Sequence, residues 1–163
     1  MAVLGTSTRP GTAQSLREVE LAAGALKVKL QYLDVLDPKD FETAFQAAVK
    51  GRAEAVLMMV AGAVGAAHRT QIAELAVKSR LPVIYTNGLF VDAGGLMTYS
   101  ASVTDLDRRA ATYVDKILKG TKPADLPVEQ PMKFEFIINL KAAKQIGLTI
   151  PPNVLVRADK VIK

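Results

Sequence analysis

Six apolar residues in a row, Ala55-Val56-Leu57-Met58-Met59-Val60, constrain the fold more than any other feature of this chain. The run is strand-length and offers no polar residue to solvent, so it reads as a strand covered on both faces. Such a strand needs helices above and below it, and the sequence supplies them. Ala2-Val3-Leu4 is a second short apolar run, ending in Gly5. Val28 to Val35 alternates, with Val28, Leu30 and Tyr32 set against Lys29 and Gln31, and reads as a more exposed strand. Val83 to Tyr85 is another buried strand. Between these runs, Leu16, Val19, Ala22, Ala23 and Leu26 fall at helical spacing. Phe41, Ala44, Phe45 and Ala48 mark a second helix, opened by Asp37-Pro38 and stopped by Gly51. Ile72, Leu75 and Ala76 give the inner face of a third. The pattern is β-α-β-α-β-α-β, with about 25 residues per unit. It predicts an α/β fold: three layers around a parallel sheet with right-handed crossovers, flavodoxin-like in its core.

Leu81 to Ser100 holds two strand ends and their loops. A strand (Val83 to Tyr85) leads to a polar turn (Thr86, Asn87, Gly88). An apolar half-turn (Leu89 to Val91), the pair Gly94-Gly95 and a second strand (Leu96 to Tyr99) follow. Loops at the carboxyl ends of strands line the ligand crevice of an open α/β sheet, so this stretch is expected on its rim. Beyond it, Leu106, Ala110, Tyr113, Val114 and Ile117 form the apolar stripe of a helix ended by Gly120. Lys122 to Pro131 carries Pro123, Pro127 and Pro131 and reads as a linker-like crossing. Lys133 to Asn139 is a strand with Phe134, Phe136 and Ile138 on one face. Asn139 caps a short helix stopped by Gly147, and Pro151-Pro152-Asn153 opens a last helix carrying Val154, Leu155, Ala158, Val161 and Ile162. The expected organisation is a ligand-binding α/β lobe over 1–100 and a C-terminal strand-helix-helix extension over 101–163. The extension belongs to the same compact unit or is exchanged with a partner chain.

Composition narrows the chemistry. The chain has 163 residues, half of them hydrophobic, enough for a packed core of one domain. With no cysteine and one histidine, thiolate sites, a Cys nucleophile and a multi-His metal centre are excluded. The net charge of +5 comes from basic residues interspersed with acidic ones, without a basic run or basic-aromatic stripe, so no nucleic-acid partner is expected. No apolar stretch reaches the ~18 residues of a membrane span. Met1 leads straight into Ala2-Val3-Leu4, without a basic n-region and long apolar core, so no signal peptide is read. A cytoplasmic location is the expectation if this is the whole gene product.

The first loop, Gly5-Thr6-Ser7-Thr8-Arg9-Pro10-Gly11-Thr12, sets the hydroxyls of Thr6, Ser7, Thr8 and Thr12 beside the amides of a helix start, a place that favours negative charge. It resembles the phosphate loop of flavodoxin-like NADPH-dependent flavin reductases. Hydroxyls in a first βα turn also serve as turn and cap residues, so capping, ligand contact and a flavin site all stay open. Ala61 and Ala63 after the apolar strand, and Thr86, Asn87 and Phe90 after the next, complete the candidate ligand-binding set. Tyr85, Phe90 and Tyr99 are aromatics near strand ends, with core packing the common fate and Phe90 placed to line a cleft. His68 suits a hydrogen bond at a helix start. Asp34, Asp37, Asp40 and Glu42 suit a strand end and a helix N-terminus. No residue pattern points to a catalytic group or a metal site.

Leu-Pro-Val-Ile-Tyr at 81–85 and Phe-Val-Asp-Ala-Gly-Gly-Leu-Met-Thr-Tyr-Ser at 90–100 resemble the ABC transporter substrate-binding protein family that includes tryptophan/tyrosine-type periplasmic binding proteins. The likeness continues through 105–111, 113–120 and Lys122-Pro123-Ala124-Asp125-Leu126-Pro127-Val128-Glu129-Gln130-Pro131. It ends with Lys133-Phe134-Glu135 and Gly147-Leu148-Thr149-Ile150-Pro151-Pro152. The resemblance implies a lobe of a type I periplasmic-binding-protein fold, in which a solute lies between two α/β lobes, and it starts at the second lobe. It implies a periplasmic protein that hands a small molecule, an amino acid among them, to an ABC permease, without cofactor and without catalysis. The apolar stripe and the proline-rich crossing add the expectation of a homodimer. Two alternatives remain: a flavin-dependent NAD(P)H reductase, and an interaction module without a small ligand.

Overall fold

A computed structural model describes residues 1–60 and 62–163. Seven strands form one sheet in the order β2-β1-β3-β4-β5-β6-β7. The strands are β1 (Ala2–Gly5), β2 (Gln31–Asp34), β3 (Val56–Met58), β4 (Val83–Tyr85), β5 (Met97–Ala101), β6 (Phe134–Asn139) and β7 (Lys160–Ile162). Strands β1 to β5 run parallel, β6 is antiparallel to β5, and β7 is parallel to β6. The α/β class and the parallel core are therefore as the residue pattern predicts.

The helices are α1 (Thr12–Ala25), α2 (Asp40–Lys50), α3 (Ala63–Ala67), α4 (Arg69–Lys78), α5 (Gly88–Asp92), α6 (Val103–Leu118), α7 (Leu140–Gln145) and α8 (Pro152–Leu155). The chain moves one way across the sheet from β1 to β2 and the other way from β2 through β5. Right-handed crossovers therefore place α1 on one face and α2 and α4 on the other. Phe41, Ala44, Phe45 and Ala48, the residues at helical spacing, are the buried residues of α2. They pack with Ile72 and Ala76 of α4 against Leu4, Val56, Met58 and Val83. Each fully buried Phe or Leu here contributes roughly 1.5–3 kcal/mol. Helix α1 is the thinner cover. Only Ala23 is buried, and Leu26, expected on its inner face, is 74% exposed.

A second core, Leu96, Ile138, Ala142, Ala143 and Ile150, lies under β6 and α7. Its helix starts as the sequence indicates. The Asn139 side-chain oxygen accepts from the amides of Lys141 (3.0 Å) and Ala142 (3.2 Å).

Three expectations need correction. The C-terminal helix, expected through Ile162, stops at Leu155, so the strand-helix-helix extension β6-α7-α8 is present and is closed by a further edge strand, β7. The Asp159 amide donates to the Phe136 carbonyl (2.8 Å) and its carboxylate accepts from the Phe136 amide (2.7 Å), which holds the chain to β6. Helix α2 begins at Asp40, past Asp37-Pro38, because the Asp40 carboxylate accepts from the amides of Leu36 and Asp37. The apolar half-turn at 89–91 is the helix α5.

Candidate functional site

The carboxyl ends of β1, β3 and β4 meet where the strand order reverses. Sequential neighbours β1 and β2 lie to one side and β3, β4 and β5 to the other. The helices that follow β1 and β3 leave for opposite faces, and a crevice opens between them. Here it is a cleft of about 280 Å³ lined by Arg9, Pro10, Gly11, Thr12, Ser15, Met59 and Thr86.

The first loop is fixed before anything enters the cleft. The Thr6 hydroxyl donates to the Val35 carbonyl (2.9 Å). Asp34, at the end of β2, accepts from the Ser7 amide (2.8 Å) and the Ser7 hydroxyl (2.5 Å), and at 3.4 Å from the Tyr32 phenol. The Ser7 hydroxyl bond is the leading cause that holds the Asp34 carboxyl below its ordinary range. Partial burial, then the Asp34 charge, push the Tyr32 phenol up. Arg9 and Thr12 close the loop by backbone bonds, Arg9 N to Thr6 O (3.1 Å) and Thr12 N to Arg9 O (3.2 Å). Gly11 has φ +84°, a left-handed turn into α1 that a side chain would strain. Among the described residues no side chain caps α1.

Of the residues singled out in the sequence, Thr12 and Thr86 reach the cleft. Thr8 is exposed on the same loop. Thr6 and Ser7 are committed to β2. Asn87 caps α5, accepting from the Leu89 amide (3.0 Å). Ala63 is exposed at the start of α3, outside the cleft lining. Ala61 lies outside the described residues. Phe90, placed by sequence to line a cleft, is instead 2% exposed and stacks on Tyr85 with ring centres 5.1 Å apart. Its place at the first turn of α5 directs it into the core, so it supports the loop from below.

Five lining residues lie outside the candidate set: Arg9, Pro10 and Gly11, which belong to the first loop, and Ser15 and Met59, which lie beyond the stretches singled out. Ser15 is three residues after Thr12, on the same side of α1, and that spacing was the available signal. Arg9 stands among the hydroxyls of the first loop and brings a positive charge to the cleft. It is the one charged residue of the lining. His68 is elsewhere, its Nδ1 3.0 Å from the Val64 carbonyl at the end of α3. Among the described residues no group of three or more His, Cys, Asp or Glu side chains could hold a metal ion.

Comparison with curated proteins gives no match. Comparison with solved structures gives several. A conserved domain protein from Vibrio cholerae matches with TM-score 0.87 and 24% identity over 98% of this chain and 53% of that one. An ABC domain in complex with L-Trp from Streptococcus pneumonia matches with TM-score 0.85 and 23% identity over 99% and 55%. The ligand-free, open structure of a substrate binding protein with adhesive properties from Clostridium difficile matches with TM-score 0.71 and 17% identity over 99% and 53%. The chain thus spans about half the length of each of these structures, and at such identities the likeness is one of fold. The family model described as ABC transporter substrate binding protein covers residues 3–162, and the chain belongs to that family.

Proposed function

We propose that this chain is a solute-binding lobe of an ABC importer, and that it holds a small amino-acid-like molecule in the cleft at the carboxyl ends of β1, β3 and β4. The observation that carries the reading is the coincidence of that cleft with the switch point of the sheet, where open α/β sheets bind ligands. Family membership and the L-Trp named for one similar structure support an amino acid as the class of solute. In this reading Arg9 faces the solute carboxylate, Thr12, Ser15 and Thr86 offer hydroxyls to its polar end, and Met59 supplies apolar contact. The protein works outside the cytoplasmic membrane, in the periplasm, and delivers to a permease without chemical conversion.

The test is a thermal-shift and calorimetric screen with L-amino acids, sugars and purines. A ligand at 100 times its dissociation constant stabilises by about 2.7 kcal/mol, a shift of several degrees for a domain of this size. An amino acid should bind, and Arg9→Ala should weaken it by roughly 1.5–3 kcal/mol, the range for a charge-assisted hydrogen bond. Binding confined to sugars or purines overturns the solute class. An Arg9→Ala variant that binds the amino acid unchanged overturns the carboxylate contact. Uptake of flavin with a yellow colour transfers the cleft to the reductase alternative.

A further inference from the structure

The three connections that lead from a helix into β2, β3 and β4 each carry two basic residues with one residue between them. These are Lys27-Val28-Lys29, Lys50-Gly51-Arg52 and Lys78-Ser79-Arg80. All six basic residues are exposed. The pairs stand more than twenty residues apart in the chain, so no basic run announces them. The fold brings them to one place. A connection that enters a parallel strand lies at the amino end of the sheet, and β2, β1, β3 and β4 are neighbours in that order. At about 4.8 Å per strand, the strands they enter span roughly 15 Å. The Gln31 side chain donates to the Ala47 carbonyl (3.3 Å) and the Val56 amide to the Pro82 carbonyl (2.8 Å), which ties neighbouring connections together.

Of the 21 basic and 16 acidic residues, these connections, counted from the last residue of each helix, hold six basic residues and one acid, Glu54. They carry the whole net charge of +5, and the fifteen basic and fifteen acidic residues elsewhere cancel. Lys78 pairs with Glu42 (3.7 Å), and among the described residues the other five cations form no ion pair. Lys27 (φ 55°), Arg52 (φ 55°) and Arg80 (φ 51°) have left-handed backbone, at the position past the helix end where α6 and α7 use Gly120 and Gly147. The negative end of a helix favours a cation there. It does not account for Leu26, Val28 and Val49, apolar side chains that stand exposed beside these cations.

We propose that this amino-end face docks on an anionic lipid surface, with its cations among the headgroup phosphates and Leu26, Val28 and Val49 at the boundary of the acyl layer. A charged bilayer offers phosphate above and an apolar layer beneath, which matches a face where cations and apolar side chains stand side by side. A nucleic acid strand calls for aromatic rings on which bases stack, and these connections hold none. The cleft opens at the other end of the strands, so a chain lying on this face turns its cleft away from the bilayer. The docking stands on the amino-end face alone and does not depend on what the cleft binds.

The test is co-sedimentation of the 163-residue chain with vesicles of phosphatidylcholine alone and with vesicles in which a third of the lipid is phosphatidylglycerol. The chain should pellet with the second kind and not the first at about 50 mM salt, and should be released at about 300 mM, where screening shortens the reach of surface charge. Each basic residue at an anionic surface adds about fivefold to partitioning. Lys27→Asn, Arg52→Asn and Arg80→Asn combined, asparagine being suited to left-handed backbone, should lower partitioning at least about tenfold. A second variant, Lys29→Gln with Lys50→Gln, keeps the left-handed positions as they are and should also lose about tenfold. The control, Lys39→Gln with Arg108→Gln and Lys133→Gln, removes three charges from exposed positions near the carboxyl ends of β1 to β5 and should stay within about threefold of the parent. Far-ultraviolet circular dichroism and melting temperature matching the parent show that each variant is folded. Equal binding to both kinds of vesicle, full partitioning by both face variants, a control that loses as much as they do, or binding to a DNA duplex without binding to vesicles overturns the proposal.

Discussion

Tyr85 shows how much of this core turns on single atoms. Its ring is 2% exposed and stacked on Phe90, and burial pushes its phenol well above the ordinary value. Its hydroxyl has no hydrogen-bond partner among the described residues. The room for the ring comes from Gly95, where an added Cβ would lie 2.5 Å from a Tyr85 ring carbon and 2.7 Å from the Phe90 carbonyl. A buried hydroxyl without a partner loses its hydration for nothing in return. Tyr85→Phe should therefore leave the urea midpoint unchanged or raise stability by up to about 1 kcal/mol. A loss larger than about 1 kcal/mol would mean that the hydroxyl is satisfied, for instance by a buried water. The fates of Tyr85 and Phe90 illustrate where residue-level reading stops. An aromatic beside a strand end suits a cleft and a core equally well. The choice was made by the turn of α5, which no local pattern displays.

At the scale of elements, what the chain shows locally was legible and what it settles by distant pairing was not. Asn139 before an apolar helical pattern and Gly147 after it announced α7 and its cap. The same side chain also donates from Nδ2 to the Val91 carbonyl (3.4 Å), joining α5 to α7. Asn139→Ala removes the cap and leaves buried groups unpaired, and should cost about 1–2 kcal/mol, measured by chemical denaturation. A loss under about 0.5 kcal/mol would show that water replaces the cap. The end of the chain is the opposite case. Val154, Leu155, Ala158, Val161 and Ile162 fit a helical face, yet Val161 and Ile162 pair with Ile138 and Asn139 as β7. A three-residue edge strand carries almost no period of its own, and its partner lies some twenty residues earlier.

At the scale of the whole molecule, the ladder between β5 and β6 has the most register pairs of any in the sheet, from Met97 opposite Ile138 to Ala101 opposite Phe134. It ties residues before 100 to residues after 133, and Leu96 sits in the core built by the later segment. Residues 1–100 and 101–163 should accordingly unfold together, in a single transition with coincident fluorescence and circular dichroism curves. Loss of protection in β6 and β7 ahead of β1 to β4 in hydrogen exchange would divide the chain into two cooperative units instead. The fold class could be read because repeated β-α units leave one arrangement of layers. The cleft could be read only by position, as a meeting of strand ends. Which side chains turn into it depended on the tether between the first loop and β2, and the sequence keeps those partners 27 residues apart.

That tether divides the first loop into two functional halves. Thr6 and Ser7 are anchors, spent on Val35 and Asp34, while Thr8, Arg9 and Thr12 hang from a frame already in place. An altered anchor would unsettle the frame, whereas an altered Arg9 would change only what the cleft recognises. A lobe built this way can acquire a new solute by substitution at a few hanging positions, with its scaffold untouched. Diversification of ligand preference then becomes a matter of single steps, each of which leaves a folded protein.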